Sequence, residues 1–386
     1  MLVVLGCAAM VVGLPLLVRL PVRFQRRMAE ATGVSYVHDA AKLARVAASQ
    51  AGPGTRVVLA ERARGDRRLA AKGFEVVREL ELREWGQPPQ FPFYRISSFV
   101  ADEEGNIFIA LWSEGTIVKF DSSGRYLCSF GRKGRGPGEL LTPGEMNLAP
   151  DGKLWVLDAG NSRLTAFTRD GVYLRSIPLR GSASPAGFAI SDSAFFLSFW
   201  DRESERVIHK FDMSGRPVSS FGEGATFSGP STPWRDAVRT IICQGRLLMF
   251  RGELYYSQLN PYEIRKYGPE GDLRLRLFRK SEFMTPMQVR LSGREGATLR
   301  LPPVSHFIGV WQDRVLNEVF IPDYSSSGRP TYVVDLFDLD GSLLASFTLP
   351  RGLSVGYVDA RGKMYGVYTD EEGSEAVVRF RLVARP

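Results

Sequence analysis

From about residue 96 to the end of the chain, short apolar stretches alternate with clusters of Gly, Asp, Ser and Asn. Within the stretches apolar and polar residues take turns, the period of a half-buried strand. One stretch runs Gly105-Asn-Ile-Phe-Ile-Ala-Leu111, then Ile117-Val-Lys-Phe120, then a Gly124 turn and Arg-Tyr-Leu-Cys-Ser-Phe130. It repeats as Gly152-Lys-Leu-Trp-Val-Leu-Asp158, Leu164-Thr-Ala-Phe167, Gly171 and Val-Tyr-Leu-Arg-Ser-Ile177. Turn glycine and aromatic anchor are 15 residues apart in both, and again from Gly252 to Tyr267. Further copies close at Phe211-Asp-Met-Ser-Gly215, Phe337-Asp-Leu-Asp-Gly341 and Ala376-Val-Val-Arg-Phe380. Tight hairpins join such strands, because positive φ is cheap only for Gly, Asn or Asp. Six units of roughly 48 residues fit the four-stranded blades of a propeller.

The ends of the repeat predict how the ring closes. Only six residues follow Phe380, so the sixth unit lacks its outermost strand. Ahead of the first, complete unit stands Phe74-Glu-Val-Val-Arg-Glu-Leu-Glu-Leu82, in which Phe74, Val76, Leu80 and Leu82 alternate with Glu75, Glu79 and Glu81. This strand should pair with the last blade, which also removes an exposed edge. The fold expected is all-β: a six-bladed β-propeller over 74–386, closed by an N-terminal strand. A hydrophobic signal or anchor segment (1–27) and a helix and linker (28–73) precede it.

Gly131-Arg-Lys-Gly-Arg-Gly-Pro-Gly-Glu-Leu140, Pro143, Leu148-Ala-Pro-Asp-Gly152, Val156-Leu-Asp158, Asn161-Ser-Arg163 and Phe167 resemble an NHL-type repeat. Blade one matches it well and blade three in part, through Phe221-Gly-Glu-Gly and Phe227-Ser-Gly-Pro230; the later blades keep only the hydrophobic and turn pattern. Repeats of this kind build six-bladed propellers, so the resemblance implies a fold much more firmly than an activity.

Charge removes one class of partner. The net charge of +8 resides in residues 1–72, which hold 12 Lys/Arg against 4 Asp/Glu; the remaining residues hold 38 of each sign. The propeller has no basic excess, so no nucleic-acid partner is expected. Leu2–Val18 is an apolar run broken only by Gly6, Gly13 and Pro15, and Arg19, Arg23, Arg26 and Arg27 follow it. It reads either as an export signal or as a membrane anchor, with Val4-Leu-Gly-Cys7 loosely like a bacterial lipoprotein box. The compartment expected is extracytoplasmic or membrane-anchored. Residues 35–51 read as a short helix, with Val37, Ala41, Ala44 and Ala48 on one face, and 52–73, including Arg67-Arg68, as a linker.

Several elements bear on chemistry. Gly131–Glu139 lacks the Gly-Lys-Ser/Thr entry into a helix that a phosphate cradle needs, so it reads as a connector between blades. The three histidines, His38, His209 and His306, are too few for a His-rich metal centre, and the latter two read as structural. Cys128 and Cys243 read as small buried hydrophobes. Trp85, Phe91, Phe93 and Tyr94 should pack beneath the closing strand. The long connection 279–304 exceeds what joins two blades and is expected to overhang a face of the ring.

Aligning the ends of the second strands gathers Leu111, Asp158, Phe199, Gln258, Asp323 and Tyr368 on one face. Asp158 and Asp323 would stand opposite each other, as carboxylates near a calcium ion do in lactonase-like propellers. Calcium wants six to eight oxygens, however, and this ring offers few. Asp158, Asn161 and Arg163 therefore read first as a trio that caps loop amides. Trp112, Trp200, Tyr262 and Tyr324 fall in loops near the same face, where rigid rings suit recognition.

The candidate ligand-binding face thus comprises Trp112, Asp158, Asn161, Arg163, Trp200, Gln258, Asp323, Tyr324 and Tyr368. The function expected is a non-enzymatic binding or scaffolding monomer that presents this face to a protein, peptide or glycan, with no cofactor. The alternative is a calcium-assisted hydrolase or lyase using Asp158 and Asp323.

Overall fold

A computed structural model describes residues 39–61, 74–86, 91–93, 95–179, 185–225, 239–240, 242–281, 288–292, 296–300, 303–323 and 329–384. The apolar run 2–18, His38, Arg67-Arg68, Tyr94, Phe227–Pro230 and Tyr324 lie outside the described residues. Among the described residues no helix is long and apolar enough to cross a membrane.

Six antiparallel sheets follow one another along the chain. Blade one holds Ile96–Ala101, Ile107–Leu111, Thr116–Phe120 and Tyr126–Phe130; blade two holds Pro143–Leu148, Leu154–Asp158, Arg163–Phe167 and Tyr173–Pro178. Blade three runs Gly187–Ile190, Ala194–Asp201, Arg206–Asp212 and Pro217–Glu223, and blade four Gly245–Phe250, Glu253–Gln258, Glu263–Tyr267 and Leu273–Arg279. Blade five has Val304–Trp311, Arg314–Ile321, Thr331–Phe337 and Leu343–Thr348; blade six has Tyr357–Val358, Met364–Thr369 and Glu375–Ala384. The first strands of successive blades touch each other around the axis. The apolar clusters lie between neighbouring blades, as where Val100, Phe108 and Ile117 of blade one meet Met146, Leu154 and Val156 of blade two.

The ring closes as the sequence predicts. Phe74–Leu82 is the outermost strand of blade six, antiparallel to Glu375–Ala384, with Phe74 opposite Ala384 and Leu82 opposite Val377. Its apolar residues enter the core: Leu82 is buried, and Phe74 and Val76 pack beside Leu382 and Phe380.

Many of the hairpins share one device. Asp121 accepts from the amides of Ser123 (2.9 Å) and Arg125 (3.0 Å), and Gly124 between them has φ +89°. Asp102, Asp212, Asp338, Asp359 and Asp370 brace the amides two and four residues on in the same way. The Asp/Ser-Gly periodicity is thus a carboxylate satisfying turn amides ahead of a left-handed glycine.

The stretch expected to be a linker contains a strand. Arg56–Ala60 runs parallel to Leu273–Arg279 and makes blade four five-stranded. Helix Ala40–Gln50, capped by Asp39 through the amides of Ala41 and Lys42, lies on it. Its buried face is Leu43, Ala44 and Ala47, packed on Phe278 with Val57 and Leu59; of the expected stripe Ala44 is buried, Ala41 partly buried and Ala48 exposed, and Val37 lies outside the described residues. The apolar Val57-Val-Leu59 was hidden between Arg-rich flanks. The long connection 279–304 carries a hairpin, Gln288–Ser292 with Gly296–Arg300.

Candidate functional site

Strand register locates the expected ring of second-strand ends. Ile107, Leu154, Leu254, Val315 and Met364 each face the aromatic anchor of their blade, as does Phe195 in blade three. Four residues on stand Leu111, Asp158, Phe199, Gln258, Val319 and Tyr368. Five places agree with the expectation. In blade five the place equivalent to Asp158 belongs to the buried Val319, and Asp323 lies beyond the strand end, partly exposed. The opposed pair of acids is therefore a register error: in blade five Val315 stands 22 residues before the anchor Phe337, against 13 for the equivalent pairs of blades one, two and four. Among the described residues no cluster of three or more His, Cys, Asp or Glu is gathered as for a metal.

Asp158 is fully buried and serves its own blade. Its Oδ1 accepts from the amides of Leu141 (3.0 Å) and Thr142 (3.1 Å), and its Oδ2 from Asn161 Nδ2 (2.6 Å). Asn161 also donates to the Gly134 carbonyl, and Arg163 to the carbonyls of Arg135, Gly136 and Glu139. Asn161 and Arg163 thus fasten the glycine-rich connector Gly131–Glu139, and Asp158 holds Asn161 and the chain just beyond the connector. Glu139 completes it by accepting from the Gly136 amide (2.7 Å).

The other expected face residues are scattered. Gln258 is buried between the Asn260 carbonyl and the Arg265 guanidinium. Trp112 is half-buried beneath Arg95, Tyr368 beneath Arg78 and Trp200 beneath Arg239. Trp200 packs on the core between blades three and four. Tyr262 is buried. His209 stacks on Phe199 at 3.9 Å, and burial lowers its pKa. Cys243 is buried, with its thiol pushed up to about 11 by burial, whereas Cys128 sits half-exposed on an outer strand. Phe93 is buried against Leu82 as expected, but Phe91 is 47% exposed.

Among the described residues the central channel of the ring is a cavity of about 640 Å³ walled by the first strands of blades one, two, four, five and six. Three of these strands carry β-bulges at one level. Ser97 is the extra residue between Ile96 and Ser98, His306 the extra residue between Ser305 and Phe307, and Gly144 and Glu145 together face Leu157. A bulge re-aims a side chain that regular pleating would bury between sheets. At the same level blade four gives Arg246, opposite Ser257, and blade six gives Ser354, whose amide reaches Val367.

Each polar side chain of this layer is fixed to another blade or its own sheet. Glu145 Oε2 accepts from the Phe188 amide of blade three (2.9 Å). Arg246 donates to the carbonyls of Ala186 (2.9 Å) and His306 (3.0 Å), joining blades three, four and five. Its guanidinium lies 3.9 Å from Glu145 Oε2. His306 Nδ1 meets Glu318 Oε2 at 2.9 Å, and Glu318 Oε1 accepts from the Val355 amide of blade six (2.6 Å). Glu375 accepts from the Ile96 amide (3.2 Å), tying blade six to blade one. Burial raises Glu145 to about 7 against the opposing pull of Arg246 and the Phe188 amide; burial likewise raises Glu318 and Glu375. The layer is rigid, partly desolvated and of mixed charge.

Sequence reasoning passed over Glu145 and Arg246 because nothing local marks a first-strand residue as axial. The available signal was polarity out of phase: a Glu in Pro-Gly-Glu-Met-Asn-Leu148 and an Arg in Gly-Arg-Leu-Leu-Met-Phe250.

No family model matches the sequence, and no curated protein matches it. Solved structures do. A member of the DUF4221 family from Bacteroides vulgatus superposes with a TM-score of 0.52 at 12% identity, covering 81% of this chain and 99% of that one. A protein from Bacteroides fragilis described as exported gives 0.53 at 9% identity, covering 84% and 99%. A streptogramin B lyase gives 0.41 at 12% identity, covering 81% and 98%. The likeness is one of fold. At such identities a shared propeller carries no activity across.

Proposed function

We propose that this protein is a non-enzymatic binding propeller of NHL-like blades that presents the mouth of its central channel to a protein, peptide or glycan. One observation supports this reading above the others: the channel's polar side chains are already fixed by neighbouring blades. A site organised before its ligand arrives loses little entropy on binding. The apolar run 2–18 supports a position outside the cytoplasm or at a membrane, and so does one protein of the same fold that is described as exported. The test is to probe peptide and glycan arrays with the full chain and with Val310→Trp, which narrows the channel at a partly exposed wall position. Capture that the variant loses while its thermal midpoint holds supports the reading; equal capture by both chains overturns it.

A second reading, as a hydrolase or lyase, draws on the His306–Glu318 pair. A buried carboxylate that orients an imidazole is how a general base is held. Mass change in a captured ligand, abolished by His306→Ala, would favour it.

A further inference from the structure

We propose that Glu145, Arg246 and His306 hold a small zwitterion with an ammonium and a carboxylate on one carbon, the class of the free α-amino acids. The proposal rests on the channel being the binding surface. At this level Glu145 and His306 are each anchored through one atom and Arg246 through two, and one further polar atom of each has no protein partner among the described residues. Glu145 keeps Oε1, Arg246 keeps Nη2 and His306 keeps Nε2. All three side chains are about one-fifth exposed, and all line the same cavity.

The charges decide the ligand class. At 3.9 Å the Arg246 and Glu145 groups stand side by side without a hydrogen bond between them. A purely anionic ligand would pair with Arg246 and leave Glu145 beside a like charge; a purely cationic one would do the reverse. Either outcome leaves a desolvated charge poorly compensated. A zwitterion serves both, its carboxylate on Arg246 and its ammonium on Glu145, and two adjacent charges on the wall match two on one carbon. His306 Nε2 then remains for the ligand's side chain. The Glu145 carboxyl, lifted by burial, would ionise fully beside an ammonium, so binding near pH 7 should release a proton.

The experiment is calorimetric titration of the full chain at pH 7 with each of the twenty L-amino acids. For the best binder, the hydroxy acid lacking the ammonium and the N-acetyl derivative follow. One-to-one binding is expected for at least one amino acid, with at least tenfold weaker binding of both analogues. Glu145→Gln, which keeps an acceptor for the Phe188 amide, should cost the amino acid at least tenfold while the hydroxy acid, relieved of the like charge beside it, binds at least as well as before. Arg246→Lys, which keeps the charge, guards against misfolding and should weaken all three ligands. Equal affinity for amino acid and N-acetyl derivative, or no effect of Glu145→Gln, overturns the proposal. If no amino acid binds but Val310→Trp still abolishes array capture, the zwitterion is wrong and the binding channel stands. If capture is also unaffected, both fall.

Discussion

Val76 lies directly opposite Leu382, so a residue ahead of the first blade and one near the end of the sixth share the strand pair that shuts the ring. Leu382 is buried, and both side chains pack in the core between blades five and six. Leu382→Asp or Val76→Asp places a carboxylate there and should each cost about 3 kcal/mol or more. Because the residues face each other, the two carboxylates repel across the strand pair, and the double variant should cost clearly more than the two single costs added. Urea unfolding of the four chains checks this. Strict additivity would mean that the pair does not act as one closure.

Asp158→Ala strands the Leu141 and Thr142 amides and should destabilise by roughly 2–4 kcal/mol. Asp323→Ala, beyond the strand end, should cost less than about 1 kcal/mol. A metal shared by the two acids would instead make their losses alike and chelator-sensitive. Thermal midpoints with and without EDTA distinguish these outcomes, and an unchanged wild-type midpoint in EDTA is expected.

Glu145 gives the pH dependence a sign. Its folded pKa, about 7, stands above the unfolded value, so between the ordinary carboxylate range and pH 7 the folded chain holds a proton that the unfolded chain has released. Stability therefore falls as pH rises through that window, by at most about 3 kcal/mol from this group. Glu145→Gln should remove that part of the decline, so the variant gains on wild type between pH 5 and pH 8. Glu318 and Glu375, raised in the same sense, should leave a residual slope. Urea midpoints at the two pH values measure both; a wild-type slope retained in full would refute the assignment.

Phe278 is fully buried under helix Ala40–Gln50 and strand Arg56–Ala60. Removing residues 1–61 bares the edge of blade four, and Leu273–Arg279 amides should exchange with solvent faster. The shortened chain should also self-associate with rising concentration while its β-sheet circular dichroism persists. Unchanged exchange in that strand would show the helix and strand to be incidental.

Most of the architecture was legible because it rests on local rules. Alternation marks half-buried strands, and each Asp-x-x-Gly turn is braced by its own carboxylate, as at Asp121 and Gly124. Even the closure followed from counting strands. Arg56–Ala60 escaped because a five-residue strand between arginines carries too little pattern. Its partner, Leu273–Arg279, lies over 200 residues away.

The site was much less legible. Asp158, Asn161 and Arg163 sit close in sequence and bond each other's loops, so their capping role could be argued from Asx chemistry alone. Asp323 was misplaced because the hairpin from the second to the third strand of blade five is longer than in blades one, two and four, which shifts the count.

The chain's order of apolar and turn residues by itself determined six sheets, their hairpins and the strand that seals them, since each depends on neighbours a few residues apart. Only the assembled ring decided that Glu145, Arg246 and His306 meet on one level of the axis. They come from three blades, and two of those strands are shifted by bulges that no periodicity records. Their ionisation follows from burial among sheets far apart in sequence, which is a property of the closed ring.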